Sequence, residues 1–224
     1  CPRALLFSLS DWQQRIKSFS TCDVIYFDFK KAFDMVPHDI LLAKLKSTGF
    51  SEKIVAWYKQ LLTNRESSVV INGTYSTEKL RIKSGVVQGT VSGPLLFLFY
   101  IDDIVANLPP LVGSVLFADD LKIYSHDPPA LQKAIDMVVN WSESYGMPLA
   151  DEKTALLHLG KRNKHHRYAL KGNTIEPSIV TKDLGVFIDN KMSFENHINK
   201  IANVAMVRVK QLAHCFKFSN SEIL

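Results

Sequence analysis

The chain has 224 residues, 46% hydrophobic and 22% charged, which is enough apolar content for a packed domain and too much for a disordered segment. Its formal net charge of +5 fits an anionic partner without demonstrating one, and its three cysteines are too few for a disulfide framework. No apolar run of about 18 residues and no secretory signal pattern occur, so we expect an intracellular protein, nuclear or cytoplasmic, that does not bind a membrane.

The first predicted elements are an amphipathic helix and a buried strand. Residues 3–18 place Leu5, Leu9 and Trp12 at helical spacing, and residues 23–29 are rich in Val, Ile, Tyr and Phe. Asp28 comes near the end of that strand. Because a buried carboxylate without a partner is costly, we expect another group to stabilise Asp28.

Two helices and a hairpin are predicted next. Helices are expected over residues 39–48 and after Ser51, the second with Trp57 and Tyr58 in the core. Asn72-Gly73 predicts a type I′ hairpin. The cations around this hairpin could bind nucleic-acid phosphates or form a solvated face, and the sequence leaves both open. These cations are Arg65, Lys79, Arg81 and Lys83.

An apolar helix that begins at Pro94 is expected to end near Asp102 and Asp103, two acids that we place in solvent and not on a metal. Two apolar runs within residues 112–126 then flank Asp119 and Asp120, which predicts a β-hairpin with the acids at its turn. Adjacent carboxylates repel each other unless a cation lies nearby, although Asp-Asp is also ordinary turn chemistry.

The last part of the chain predicts another helix, short strands and a final helix. The charged loop at residues 161–167 could contact nucleic acid or be a solvated turn. The predicted elements are a helix over 128–145, a strand over 154–159, a hairpin near 172–173, a strand near 184–188 and a helix from 193.

If the strand that carries Asp28 pairs beside the hairpin of Asp119, three carboxylates converge. Such a set suits hard divalent cations with oxygen ligands, Mg²⁺ first. Two ions about 4 Å apart could activate an attacking hydroxyl and stabilise a leaving pyrophosphate.

Five segments, in this order, resemble the palm motifs of reverse transcriptases, most closely those of jockey-like non-LTR retrotransposons. The resemblance implies an α+β polymerase palm, an antiparallel sheet with helices packed on one face, with incomplete fingers and the start of a thumb. It divides the chain into a helix left over from the fingers at 1–22, the palm at 23–190 and a helix toward the thumb at 191–224. The segments are residues 26–38, 84–97, 117–120, which read Phe-Ala-Asp-Asp, 146–154 and 184–189.

The resemblance also assigns metal ligands. Asp28, Asp119 and Asp120 would hold two Mg²⁺ ions, with Mn²⁺ as an alternative, and the backbone carbonyl of Phe29 would add a ligand. Lys153 matches the lysine that acts as general acid toward pyrophosphate, and the alternative is a surface lysine.

Three further residues would contact the nucleotide. Phe33 matches the bulky residue that excludes a ribose 2′-hydroxyl, and the alternative is an aromatic in the core. Gln88 and Gly89 match positions that contact the incoming nucleotide and the template. Two positions depart from the family pattern: Ala150, where Asn is usual, puts the placing of Lys153 in doubt, and Val87, where Pro is frequent, makes the approach to Gln88 less rigid.

The function implied is template-directed DNA synthesis on an RNA or DNA template, with a DNA primer and deoxynucleoside triphosphates as partners. The alternative is a non-catalytic nucleic-acid-binding or interaction module with the same fold. With incomplete fingers, the isolated chain is expected to be weak or inactive. The sequence leaves the oligomeric state open.

Overall fold

The computed structural model describes residues 2–215. Its helices are α1 Pro2–Phe19, α2 Ala32–Met35, α3 His38–Ser47, α4 Glu52–Leu62, α5 Ser92–Ile101, α6 Pro128–Ser144 and α7 Glu195–Cys215, with 3₁₀ turns at Asp102–Val105 and Asp151–Lys153. Its strands are β1 Cys22–Phe27, β2 Glu66–Ser67, β3 Val70–Ile71, β4 Thr74–Tyr75, β5 Leu80–Arg81, β6 Gly113–Phe117, β7 Asp120–Ser125, β8 Ala155–Leu159, β9 Ala169–Leu170, β10 Asn173–Thr174, β11 Val180–Asp183 and β12 Val186–Asp189.

The central sheet has the strand order β6-β7-β1-β8, and all neighbouring strands are antiparallel. Strand β1 lies inside the sheet, where Ile25 pairs with Ile123 of β7 and with Leu156 of β8. Because successive side chains point to opposite faces, β1 presents two different sets of residues to the two sides of the sheet. This position makes β1 the strand around which both cores and the candidate site are built.

Two hydrophobic cores cover the two faces. The larger joins Ile25 and Phe27 of β1 to Phe97 of α5 and to residues of α3 and α6. The smaller joins Val24 of β1 to Trp12 of α1, and also contains Ile188 of β12. The predicted α+β fold with an antiparallel sheet is confirmed. Helices α3, α5 and α6 pack on one face of the sheet, and α1 with the β11–β12 hairpin lies against the other face.

Several local predictions are confirmed. The Asn72-Gly73 turn joins β3 to β4 with φ values of 52° and 79°, as a type I′ turn requires. Helix α1 packs on the sheet through the buried Trp12. Of the helices in residues 2–215, none combines the length and the apolar character needed to cross a bilayer.

Three placements differ from expectation. Trp57 is 55% exposed, because the face of α4 that carries it turns outward. Asp28 follows the end of β1, and its side chain is 35% exposed rather than buried in the strand. Asp103 is not free in solvent, since its Oδ1 accepts hydrogen bonds from Lys44 Nζ at 2.7 Å and Trp141 Nε1 at 2.9 Å.

Candidate active site

The acids predicted at a hairpin tip lie at the turn between β6 and β7. Phe117 pairs with Asp120, so Ala118 and Asp119 form a two-residue turn. Ala118 has φ 52°, the left-handed conformation that tight hairpin turns require. The turn therefore holds Asp119 at the tip, and Asp120 begins β7.

Strand pairing brings Asp28 to this hairpin. Phe27 pairs with Leu121, so the next residue of the first strand and the preceding residue of β7 are neighbours in the antiparallel register. Asp28, Asp120 and Lys153 line one pocket of about 170 Å³. Asp119 is not part of this lining and lies on the adjoining turn.

The electrostatics of the site show that the acids influence one another. Burial raises the pKa of Asp120, and the negative charges of Asp119, Asp28 and Asp183 raise it further, while Lys122 opposes them. Like charges at short range favour protonation or the binding of a cation. The carboxylates thus form a centre of negative charge at the tip of the sheet.

This donor set fits a hard divalent cation in its chemistry, since it offers carboxylate oxygens and excess negative charge. Within residues 2–215, no group of three or more acids, histidines and cysteines stands close enough to ligate one ion. Asp28 instead binds an ammonium, with Oδ2 at 2.8 Å from Lys153 Nζ. The three acids are neighbours whose side chains are not yet gathered around one point.

Phe29, whose backbone carbonyl was predicted as a metal ligand, directly follows Asp28 in the chain. Phe29 forms an isolated bridge with Leu149, and the hydrogen bonds of this bridge run from Lys30 N–H to the Pro148 carbonyl and from Ala150 N–H to the Asp28 carbonyl. The Phe29 carbonyl therefore accepts no hydrogen bond within this bridge. The Phe29 side chain is buried, which fixes the peptide that carries this oxygen.

Lys153 is positioned by backbone contacts. Ala150 N–H donates to the Asp28 carbonyl at 2.8 Å, and Lys153 N–H donates to the Ala150 carbonyl at 2.9 Å. These bonds hold the backbone at Lys153 with an alanine at position 150. The hydrogen bond to Asp28 and then its negative charge raise the pKa of the exposed Lys153, which keeps the ammonium protonated.

Gln88 is held by a residue that the sequence did not single out. Its Nε2 donates to Asp34 Oδ1 at 2.8 Å, and Ser84 Oγ donates to the Asp34 carbonyl at 2.8 Å. Gly85 has φ 89°, and a Cβ there would lie 2.8 Å from the Asp34 Cα, so only glycine fits. This close docking fixes the segment before Gln88 without a proline at position 87.

Phe33 and Gly89 complete the predicted nucleotide contacts. The Phe33 ring stacks on Phe97 at 4.3 Å between centroids, so it is held against the larger core while remaining partly exposed. Gly89 has φ 80°, and a Cβ added there would meet no atom within 4 Å. The space beside this glycine is open.

The four cations near the Asn72-Gly73 hairpin do not act alike. Arg65 donates to the backbone carbonyls of Leu62 at 3.0 Å and Gly85 at 3.1 Å, so it holds the chain together locally. Lys79 lies 3.7 Å from Glu66, Arg81 donates to Asn64 at 3.2 Å, and Lys83 is exposed. Only the last three present their charge at the surface.

A buried ion pair beside the site was missed at the sequence level. Lys122 Nζ lies 2.5 Å from Asp183 Oδ2, both side chains are 4% exposed, and Tyr26 Oη donates to the same oxygen at 3.3 Å. The pair fastens the β11–β12 hairpin to the sheet next to Asp120. A lysine between Leu121 and Ile123 in a strand was the available signal, because it interrupts an apolar run.

A second buried acid lies at the other end of β1. Asp23 accepts hydrogen bonds from His158 Nδ1 at 2.7 Å, Asn163 Nδ2 at 2.6 Å and Tyr168 Oη at 2.6 Å. Burial opposes the ionisation of Asp23, but these hydrogen bonds outweigh it and lower its pKa. This is the buried aspartate that the strand carries, in place of Asp28.

The antiparallel sheet with paired acids at a hairpin tip defines a polymerase palm. Residues 8–207 match the reverse transcriptase (RNA-dependent DNA polymerase) family, and the chain belongs to that family.

Its sequence is 27% identical over 201 residues to the RNA-directed DNA polymerase from mobile element jockey of Drosophila melanogaster, over 84% of this chain and 22% of that protein. It is 28% identical over 153 residues to the Pol polyprotein from type-1 retrotransposable element R2 of Popillia japonica, over 63% of this chain and 25% of that one. The chain thus spans about a quarter of the curated relatives it matches.

Among solved structures, the fold is similar to apo telomerase from Candida tropicalis truncated from its C-terminal domain. The TM-score is 0.62 at 17% sequence identity, covering 87% of this chain and 38% of that one. The predicted resemblance to non-LTR retrotransposon reverse transcriptases and the palm fold are both confirmed.

Proposed function

We propose that the chain is the catalytic palm of an RNA-directed DNA polymerase, which adds deoxynucleotides to a DNA primer on an RNA template. The observation that carries this proposal is the β1–β7 register, which brings Asp28 and Asp120 into one pocket beside the Asp119 turn. Family membership supports the reaction class. Residues 23–190 form the palm in this proposal, with residues 1–22 assigned to the fingers and residues 191–224 to the thumb. Residue 1 and residues 216–224 lie outside the described residues.

Asp28, Asp119, Asp120 and the Phe29 carbonyl are the groups that would hold divalent cations, two Mg²⁺ ions or Mn²⁺ in their place. When bound, such ions supply an activated primer hydroxyl and positive charge for the leaving pyrophosphate. Lys153 competes with a cation for Asp28, because its ammonium already contacts Oδ2 at 2.8 Å. Released from Asp28, the ammonium is a proton donor within the same pocket, which suits a general acid toward pyrophosphate.

Phe33 and Gln88 would select and orient the nucleotide. The Phe33 ring is fixed by its stack on Phe97, so it can present a rigid edge under the sugar and exclude a 2′-hydroxyl. Gln88 is oriented by Asp34, and the open space beside Gly89 admits the nucleotide or the template. In this arrangement Asp34 is a positioning residue that acts through Gln88.

The test uses a polymerase in which this palm is completed with fingers and a thumb. We expect Mg²⁺- or Mn²⁺-dependent extension of a DNA primer on an RNA template, and its loss in Asp119→Ala. The matched control is Asp102→Ala, which removes an exposed acid outside the pocket and should leave extension unchanged.

Two outcomes would overturn the proposal. One is a completed enzyme that extends no primer while a homologous polymerase does. The other is extension that survives Asp119→Ala. RNA binding that persists without extension, and does not respond to neutralising Asp28 and Asp119, would identify a non-catalytic binding module instead.

A further inference from the structure

A basic pocket lies at the end of the sheet opposite the catalytic acids. It has a volume of about 770 Å³ and is built by α1, the loop after β8 and the segment after β12. Its cations are Lys17, Lys161, Arg162 and Lys191. Among the described residues that line it, none is a carboxylate, and none of these four cations forms an ion pair within residues 2–215.

This pocket is separate from the candidate active site. The two pockets share no lining residue. Asp23, which pairs with His158 of the basic pocket, is at the start of β1, while Asp28 follows its end. A six-residue strand spans about 20 Å at about 3.3 Å per residue, so one nucleotide cannot occupy both places.

The pocket also contains a buried histidine whose orientation is fixed. The His158 side chain is 4% exposed, and its Nδ1 lies 2.7 Å from Asp23 Oδ1. Because Asp23 is an acceptor when ionised, Nδ1 carries the proton, and in the neutral imidazole Nε2 is then an acceptor. His165 packs edge-on against this ring at 4.8 Å between centroids. In that neutral form the remaining ring nitrogen can receive a hydrogen bond from a hydroxyl donor in the pocket.

The wall of the pocket is mixed in character. Ile16 and Met192 provide an apolar surface, and His165 an aromatic one, among the cations. Single-stranded nucleic acids are bound by this combination, since phosphates pair with Lys and Arg while unstacked bases lie on apolar or aromatic side chains. RNA adds a 2′-hydroxyl, which can donate to an acceptor such as His158 Nε2.

We propose that this pocket is a second RNA-binding site, which holds a single-stranded segment away from the primer terminus. The phosphates contact Lys17, Lys161, Arg162 and Lys191, and a ribose 2′-hydroxyl donates to His158. This role goes beyond the proposed polymerase reaction, which needs no group at this end of the sheet. The palm would then bind RNA at a site that does not depend on the catalytic acids.

The first experiment measures binding of the full chain to a fluorescein-labelled oligouridine of about 12 nucleotides by fluorescence anisotropy. Lys161→Glu/Arg162→Glu should weaken binding about tenfold and reduce the slope of log affinity against log salt by about 1.4, at about 0.7 for each phosphate that is no longer neutralised. The matched control is Lys53→Glu/Lys133→Glu, which makes the same charge change at two exposed lysines outside both the pocket and the loop at residues 161–167. An equal loss of affinity in the two double variants overturns the proposal.

The second experiment tests the sugar and the location. Oligouridine should bind several-fold more tightly than oligodeoxyuridine, and 4-thiouridine crosslinks should map to the peptides of His165 or Met192. Equal affinity for the two sugars, or crosslinks confined to the Asp119 hairpin, overturns it. Asp119→Ala should leave the preference for oligouridine and the crosslinked peptides unchanged. The proposal of a second RNA site can therefore fail or succeed independently of the polymerase proposal.

Discussion

The two ends of β1 carry aspartates in opposite situations. Asp23 is 3% exposed and accepts hydrogen bonds from three side chains, whereas the Asp28 side chain is 35% exposed and pairs only with the ammonium of Lys153. They are five positions apart, so the alternation of a strand directs them to opposite faces. A carboxylate whose oxygens already accept several side-chain hydrogen bonds stabilises the fold, while one among other acids is available to a cation.

Lys122 and Asp183 stand between these extremes. They are as buried as Asp23, yet they lie beside Asp120 and act on its charge. The pair therefore resembles Asp23 in its burial and lies near Asp28 and Asp120 in space. Substitutions at each place separate effects on reaction from effects on stability.

The largest expected effect is on nucleotide incorporation, at Asp28. Asp28→Asn in a completed polymerase should lower nucleotide incorporation about 10³-fold, since the loss of about 4 kcal/mol of transition-state stabilisation corresponds to that factor. The free energy of unfolding, measured by urea denaturation, should stay within about 1 kcal/mol, because only an exposed ion pair is lost. Incorporation within tenfold of the unaltered enzyme would contradict the role assigned to Asp28.

The buried pair should affect stability strongly. Lys122→Met leaves Asp183 without its counter-charge, which should cost about 3–5 kcal/mol in the free energy of unfolding. Lys122→Met/Asp183→Leu removes both charges and should recover at least half of that loss, as measured in urea. Lys153→Met is the control, because it breaks an exposed pair and should change stability by less than about 1 kcal/mol. If the double variant is no more stable than Lys122→Met, the unpaired charge of Asp183 is not the cause of the lost stability.

Asp23→Ala should destabilise the fold by about 3 kcal/mol at pH 7, because it leaves the buried donors of His158 and Tyr168 without their acceptor. The folded-state pKa of Asp23 lies below its usual 3.8. Its contribution is therefore present above about pH 4 and is lost as the pH falls through the folded-state value. Urea unfolding at pH 7, 5 and 3 should show the difference between the variant and the unaltered chain narrowing only at the lowest pH.

The smallest effect is expected at Asp120, with the opposite sign. Its folded-state pKa is raised, so the fold penalises the ionised form. This penalty is absent below the pKa of the unfolded chain and appears as the pH rises through the folded-state value. Asp120→Asn should thus raise the free energy of unfolding at pH 7, by less than about 1 kcal/mol because solvent screens this side chain, and should have no effect below about pH 4. Asp102→Asn, at an exposed acid outside the pocket, should show no such gain.

Much of the fold was predictable because its signals are local. The Asn72-Gly73 turn, the acid-tipped hairpin and the helix that follows Asp127 were expected from neighbouring residues, and they form at those places. Trp57 shows the limit of such patterns, since an aromatic at helical spacing does not reveal whether another element covers it. Asp28 shows the same limit, because one residue of difference in where a strand ends decides between a buried and a partly exposed carboxylate.

The sequence by itself determined the order of the palm motifs and the residue types needed for metal and nucleotide chemistry, because each motif is a short stretch whose turn and strand preferences are satisfied within it. Tertiary structure alone decided which polar and charged side chains find a partner. Asp23 meets His158 across 135 positions, Lys122 meets Asp183 across 61, and Gln88 meets Asp34 across 54. Such contacts depend on strand register and on how elements dock, and neither is encoded in a local pattern of hydrophobic and polar residues.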